Sequence, residues 1–531
     1  MRNMELPGRN TVHAANGMAA TSHTVSTLAA VNVLQLGGNA MDAAIAAVAV
    51  QCVVEPGSTG IGGDCFCLYS PEGSDDLIAF NGSGKAPAGA TADYFADQGI
   101  TEIERHSPHS VTVPSAVDAW DRLIRDHGTM DLGDLLQPAI ALARDGYAVA
   151  PRVASDWAGA ADKLAIDSDA AARFLPGGRA PRAGEKHRQP ELAETLSKIA
   201  EHGRDAFYSG AVAEDMVEKL QSLGGVHTLD DFAAVEGNYV EPIKTDFRGY
   251  EVWECPPNGQ GVFALLLLNI MSGFETTGVD PLSAERLHLE IEAGRLAYQD
   301  RNAFLADPSQ AEVPVEWLLS QAHADELRAH IDPERAMADL PPVTFPNHES
   351  TVYISVVDKD RNAVSFINTL FNTFGSTRLA PRSGVMLHSR GQGFVLDPAH
   401  PNCIAPGKRP LHTIIPGMLV KGGRAVMPFG VMGGQYQAFG HMHLLTKFID
   451  FGFDIQEAMD LPRLFPIPGT REVEAESGIP AETIERLKAM GHNLVEPSKP
   501  IGGSQAVWID WDNGTLTGGS EPRKDGCALG Y

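Results

Sequence analysis

The segment HTVSTLAAVNVLQLGGNAMDAAIAAVAVQCVVEPG, residues 23–57, constrains the fold more than any other. It reads as two Ala-rich helices, the first stopped at Gly37-Gly38 and the second opened by Asn39 as N-cap. Apolar residues run almost continuously around both, so neither has a polar face to give to water. Such helices need burial against something larger, most simply a sheet. The glycine-dense PGSTGIGGDCFCLYS then reads as a tight turn leading into a strand. From about 110 to 235 the pattern is mostly helical, and the interval 160–190, richer in Gly, Pro and charge, reads as a surface excursion. Strands resume at 240–254, followed by CPPNGQG and the helix VFALLLLNIMSGF. A further helix, SAERLHLEIEAGRLAYQDRNAFLAD, precedes a Pro-rich stretch, and after residue 351 strand and turn signals dominate until a helix near 435–450. This order suits a sheet sandwich covered by helices better than a regular βαβ array.

Charge narrows the partners. Lys+Arg 41 against Asp+Glu 68 gives a net charge of −27 over 531 residues. That surface repels phosphate backbones and anionic headgroups, which argues against nucleic acid and membrane surfaces as partners. An anionic substrate needs a local basic pocket set against the global field. No apolar run long enough for a transmembrane span or a signal peptide is present, and the six cysteines sit mostly in apolar contexts. Reduced, buried thiols and a cytoplasmic protein are the expectation. Cys65 and Cys67, in CFCLY, read as same-face core residues of a strand.

Metal signatures fail: there is no HExxH, no paired CxxC and no EF-hand loop. His441 and His443 are two apart on an expected helix and point to different faces. No metal and no cofactor is expected. VVEPGSTGIGGD lacks the Lys-Ser/Thr of a P-loop, which leaves a nucleotide-binding reading weak and a turn carrying backbone past a site as the better one. The stretch HESTVYISVVDKDRNAVSF, residues 348–366, reads as a β-hairpin with Thr351 at the head of its first strand. A Thr there is usually only a β-branched strand residue. It becomes a nucleophile when it is the first residue of a chain, because its own α-amine then serves as base. Thr351 is internal, so that use requires cleavage of the Ser350–Thr351 bond.

A set of motifs in fixed order resembles the γ-glutamyltransferase family of N-terminal-nucleophile hydrolases. They are LGGNAMDAA, EPGSTGIGGD, LLQPAIALARDGY, PPNGQG, TVYISVVDKDRNAVSF, NTLFNTFGS, PGKRPLHTIIP, VMGGQ, GGSQAV and the terminal EPRKDGCALGY. The resemblance implies an α+β fold, a four-layer αββα sandwich, made as one precursor that cuts itself. Residues 1–350 then form the large-subunit segment and 351–531 the small one, interlocked as one domain, with a dimer of these as a further possibility. By matching motifs, Thr351 is the autoprocessing and catalytic nucleophile, Thr369 supports its amine or hydroxyl, and the Gly433 and Gly434 N–H groups form the oxyanion hole.

On the substrate side this chain departs from the glutathione-cleaving members. Those hold the γ-glutamyl carboxylate with an Arg before an APA-type motif. Here the stretch is FNGSGKAPAGAT, with Asn81 near that place and Lys85 the nearest cation. Asn cannot replace a bidentate guanidinium. The family Asn two residues after the supporting Thr is Phe371, the acidic amine-binding residue falls near Gly393, and the serine pair is matched by His412 and Thr413. Arg390, His388 and Lys408-Arg409 fall in segments that the family places around the site, where they either meet an anionic substrate or merely anchor loops. The short connection from Phe394 to Pro406 leaves no room for a lid loop. The pattern LHSRGQGFVLDPAHPN resembles the branch that includes oxamate amidohydrolase and related acylases. The expected substrate is a small linear amide, γ-glutamyl or otherwise. The competing readings are a non-glutamyl amidase and an unprocessed relative acting as a binding protein.

Overall fold

The computed structural model describes residues 8–338, 340 and 351–531; Ser350, on the other side of the expected break, lies outside the described residues. The two Ala-rich helices run Thr24–Gln35 and Ala40–Val54. Asn39 caps the second. Its side chain accepts the Met41 and Asp42 N–H groups at 2.9 and 3.0 Å, and Asp42 accepts the Asn39 N–H at 2.8 Å. This reciprocal box satisfies donors that a helix start otherwise leaves open. Every residue of Ala40–Val54 is buried, whereas the first helix exposes Leu28. Only the second is enclosed all round.

Two seven-stranded antiparallel sheets form the centre. In the first, strands lie in the order Val12–Ala14, Thr515–Ser520, Gly503–Asp510, Arg424–Met432, Gly417–Lys421, Tyr250–Glu254 and Ile243–Phe247. In the second the order is Cys527–Gly530, Met18–Thr21, Val352–Val357, Ala363–Thr369, Asp64–Ser70, Ile78–Gly82 and Asn238–Val240. Strands from before and after residue 350 therefore alternate. Met18–Thr21 sits between Cys527–Gly530 and Val352–Val357, and Asp64–Ser70 pairs with Ala363–Thr369. The expected hairpin is present, Val352 facing Asn368 and Val356 facing Val364.

Alternation of side chains fixes which residues meet. Tyr353, Val357 and Ile367 of the second sheet join Met418, Val507 and Ile509 of the first in one buried cluster. Their neighbours Ile354, Val356 and Phe366 point the other way and join residues of helix Ala40–Val54. A third cluster combines Val252, Phe429 and Val431 with helices Gly261–Ser272 and Tyr436–Phe451.

One reading needs correction. The 160–190 interval is more than a surface excursion: it contains helix Ser168–Phe174, whose Phe174 is buried with its ring 5.7 Å from Trp157 and 5.1 Å from Phe374. Phe174, with buried Leu164, Leu175 and His187, anchors the stretch. The cysteines are all free, five of them buried, and Cys65 and Cys67 share one core cluster. His441 and His443 diverge as expected, bonding Glu254 at 2.6 Å and Glu290 at 3.1 Å. Among the described residues no helix is long and apolar enough to cross a membrane.

Candidate active site

Thr351 immediately precedes strand Val352–Val357 and is buried. Its hydroxyl lies 3.2 Å from that of Thr369, the last residue of the partner strand. Thr369 Oγ1 also accepts the Phe371 N–H at 2.9 Å. The backbone of Phe371 is left-handed, with φ 75°, which a residue with a bulky side chain seldom adopts. This turn out of the strand aims its N–H back at Thr369.

The inward face of the hairpin tracks strand Arg424–Met432. Ser355 donates to the Pro428 carbonyl at 2.9 Å, and the Tyr353 ring packs where a side chain on Gly430 would stand. The same strand runs on into the Met432–Gly433 step. There the chain turns through Gly433 at φ 124° and Gly434 at φ 59° before helix Tyr436–Phe451. Both values favour glycine. The two carbonyls accept from Tyr436 and Gln437, while neither glycine N–H finds an acceptor among the described residues. Gln260, from PPNGQG, holds the turn: its Nε2 donates to the Gly434 carbonyl at 3.1 Å and to the Thr413 carbonyl at 2.8 Å. Arg301 holds Gln260 in turn, at 3.1 Å.

Behind Thr369 lies a buried charged cluster centred on Asp64, its cross-strand neighbour. Asp64 Oδ2 is 3.1 Å from His412 Nε2, 3.2 Å from His388 Nδ1 and 3.5 Å from Arg390 Nε, and all four side chains are shielded from solvent. Burial works against the Asp64 charge, but His388 and His412 hold its carboxyl well below the usual range. Burial and then Arg390 lower His412 to about 3, so its imidazole is neutral. Its Nε2–H donates to Asp64 and its Nδ1 accepts the Ile414 N–H at 3.3 Å. Arg390 stacks on the Phe371 ring at 4.1 Å and donates to Thr413 Oγ1 at 3.4 Å. Burial lowers it to about 9, with Asp64 opposing, and its Nη2 has no acceptor among the described residues.

Thr351, Thr369, Arg390 and Thr413 thus lie along one chain of contacts, with His412 joined through Asp64 and Gly433-Gly434 through Gln260. Asn81 stands apart. In strand Ile78–Gly82 it donates to Asn258 at 2.9 Å and accepts the Ser83 N–H at 3.0 Å. It supports the Asn258 loop, which accepts the His412 N–H at 2.8 Å. For Lys408-Arg409 the anchoring reading holds: Lys408 donates to the Pro401 and Cys403 carbonyls, and Arg409 to that of Ser83. His388 bonds the Thr112 carbonyl at 2.7 Å. Sequence reasoning missed Asp64 and Gln260 as individual residues, although both lie in motifs it quoted. An acid closing a glycine loop at a strand start, and a Gln inside a Pro-Gly turn before a helix, were the available signals. The glycine loop does carry backbone past the site: a side chain on Gly63 would meet the Thr369 carbonyl at 2.1 Å.

The chain belongs to the gamma-glutamyltranspeptidase family, whose model matches residues 26–531. Relatives include a glutathione hydrolase-like proenzyme of Bacillus subtilis, 36% identical over 97% of this chain and 98% of its own. An oxamate amidohydrolase proenzyme of Klebsiella pneumoniae is 33% identical over 98% and 100%. The crystal structure of a cephalosporin acylase from Bacillus halodurans superposes with a TM-score of 0.93 at 40% identity, covering 100% of this chain and 99% of that one.

Proposed function

We propose that the protein is a self-processing, Thr-dependent amidohydrolase or acyltransferase on a four-layer αββα scaffold, acting on a linear amide through an acyl-enzyme. The observation that carries this reading is the Thr351–Thr369 hydroxyl contact at a buried strand head, on a hairpin packed along the strand that leads into Gly433 and Gly434. Cleavage before Thr351 frees its α-amine, whose ordinary pKa near 8 lets it accept a proton at neutral pH. The amine takes the Thr351 hydroxyl proton as Oγ1 attacks the substrate carbonyl. Thr369 orients that hydroxyl. The Gly433 and Gly434 N–H groups receive the oxyanion, and the amine returns the proton to the leaving nitrogen. Water, or a second amine, then resolves the ester by the reverse sequence.

Denaturing electrophoresis tests the reading directly. Purified protein separates into 1–350 and 351–531 fragments, and Thr351→Ala remains a single band. Amide turnover by wild-type protein that stays whole would rule the mechanism out.

For the acyl group, a non-glutamyl amidase is favoured by one observation. The stretch that carries the carboxylate-binding Arg in glutathione-cleaving members has Asn81 here, and its amide is engaged by Asn258 and Ser83. Comparing γ-glutamyl anilide with oxamate decides between the two; efficient turnover of the anilide removes the reason for preferring the second.

A further inference from the structure

On one side of the Gly433 turn a recess opens to solvent, bordered by Gly433, Gly502, Glu474, Arg152, Lys499 and Lys524. Three cations meet here in a chain of net charge −27, whose surface otherwise repels anions. Arg152 is committed: its guanidinium pairs with Asp156 at 2.9 Å and donates to the Arg523 carbonyl at 2.9 Å. Lys524 is not. Its stem lies along Gly503, while its ammonium makes no hydrogen bond or ion pair among the described residues. Lys499 approaches from the other chain segment that lines the recess, PSKPIGG. Burial pushes Lys499 down to about 8 and Lys524 down as well, with Asp156 opposing at both and Glu55 and Glu521 opposing at Lys524. Arg390 offers a cation too, but it is sealed from solvent. The recess is the open one.

We propose that this recess is an anion subsite that takes a carboxylate of the amide substrate, with Lys524 as the ammonium that meets it and Lys499 and Arg152 as flanking charge. It rests on the reading that Gly433 borders the reacting carbonyl. A carboxylate there, a few bonds from the amide, gains a charge-assisted hydrogen bond from the Lys524 ammonium. Neutral amides do not, so the recess selects anionic substrates inside an acidic protein.

The test separates the subsite from the catalytic reading by measuring binding and turnover independently. Glutarate is titrated calorimetrically into the mature two-fragment enzyme, and into Lys524→Met, Lys524→Arg and Lys499→Met matured in the same way. Turnover is then compared between glutaryl and pentanoyl para-nitroanilides, and between pentanoyl anilides with and without a ring carboxylate. Lys524→Met weakens glutarate about tenfold and shrinks the KM advantage of one anionic substrate over its neutral partner about tenfold, the loss typical of one charged hydrogen bond. Lys524→Arg retains most of both. The anilide pair that responds tells whether the carboxylate belongs to the acyl group or to the leaving amine. Should Lys524→Met fail to mature, Lys524→Arg and Lys499→Met carry the comparison. Wild-type affinity for glutarate in mature Lys524→Met or Lys499→Met overturns the subsite even if the anilides are hydrolysed. Lys524-dependent glutarate binding with every anilide inert instead refutes the amidohydrolase reading and leaves the subsite standing.

Discussion

Thr369→Val keeps the shape of the side chain and removes one oxygen. That oxygen accepts the Phe371 N–H at 2.9 Å and lies 3.2 Å from Thr351 Oγ1. Both partners are buried, so the substitution leaves a backbone N–H and a hydroxyl without that bond, each at about 1–3 kcal/mol. Phe371 then loses the tether of its left-handed turn, and with it the firm seat beneath Arg390. Taking about 3 kcal/mol of this at the transition state for Thr351 attack, maturation slows about a hundredfold. The assay follows the 1–350 and 351–531 bands of freshly folded precursor with time, beside Thr351→Ala and wild type, with urea midpoints measured on the same samples. A slow band conversion at near-normal midpoint is the signature of a lost orienting group. If Thr369→Val matures and turns over at wild-type rates, the hydroxyl pair does no orienting and the reasoning fails.

Gly433→Ala forces a side chain onto a residue at φ 124°, with its Cβ 2.9 Å from the Gly502 Cα; the N–H moves, and kcat/KM for any amide falls about a hundredfold or more in steady-state assays of mature enzyme. Asp64→Asn leaves Arg390 a buried cation without its carboxylate, and costs about 3–5 kcal/mol, read as a lowered urea midpoint. Glu55 is raised to about 7, chiefly by burial, and accepts bonds from Ser22 and Gln51. The folded state therefore holds a proton that the unfolded state has already lost, and this contribution, complete below about pH 4.5, drains away as pH rises through 7. Glu55→Gln flattens the decline of melting temperature across that window, and a parallel pair of curves contradicts the assignment.

The parts of the fold that local chemistry dictates were readable in the sequence. The Asn39 cap, the almost continuously apolar Ala40–Val54 helix and the 352–369 hairpin each follow from a few neighbouring residues. Long-range pairing was not. Nothing in MAAT announces that Met18–Thr21 lies between the C-terminal strand and the hairpin, since a Met, two alanines and a Thr fit any sheet. In the site, Thr351, Thr369 and the glycine pair became visible through family motifs rather than spacing. Asp64 escaped because its role depends on His388, Arg390 and His412, more than 300 residues away. Phe174 was hidden by its polar surroundings, which report composition and not which rings dock.

The alternation of strands across position 350 also fixes an order of events. Five ladders join strands from before that position to strands after it, at Val12–Ala14, on both sides of Met18–Thr21, at Asp64–Ser70 and at Tyr250–Glu254. Neither piece made alone has a complete sheet, and each would present unpaired, apolar strand edges. Assembly from separate chains would also wait on a collision that the continuous chain never needs. Scission before Thr351, as proposed, would therefore be useful only once the ladders exist, and could not then be undone by simple dissociation. The backbone bond would then act as a temporary scaffold, discarded when the geometry it helped to build no longer depends on it.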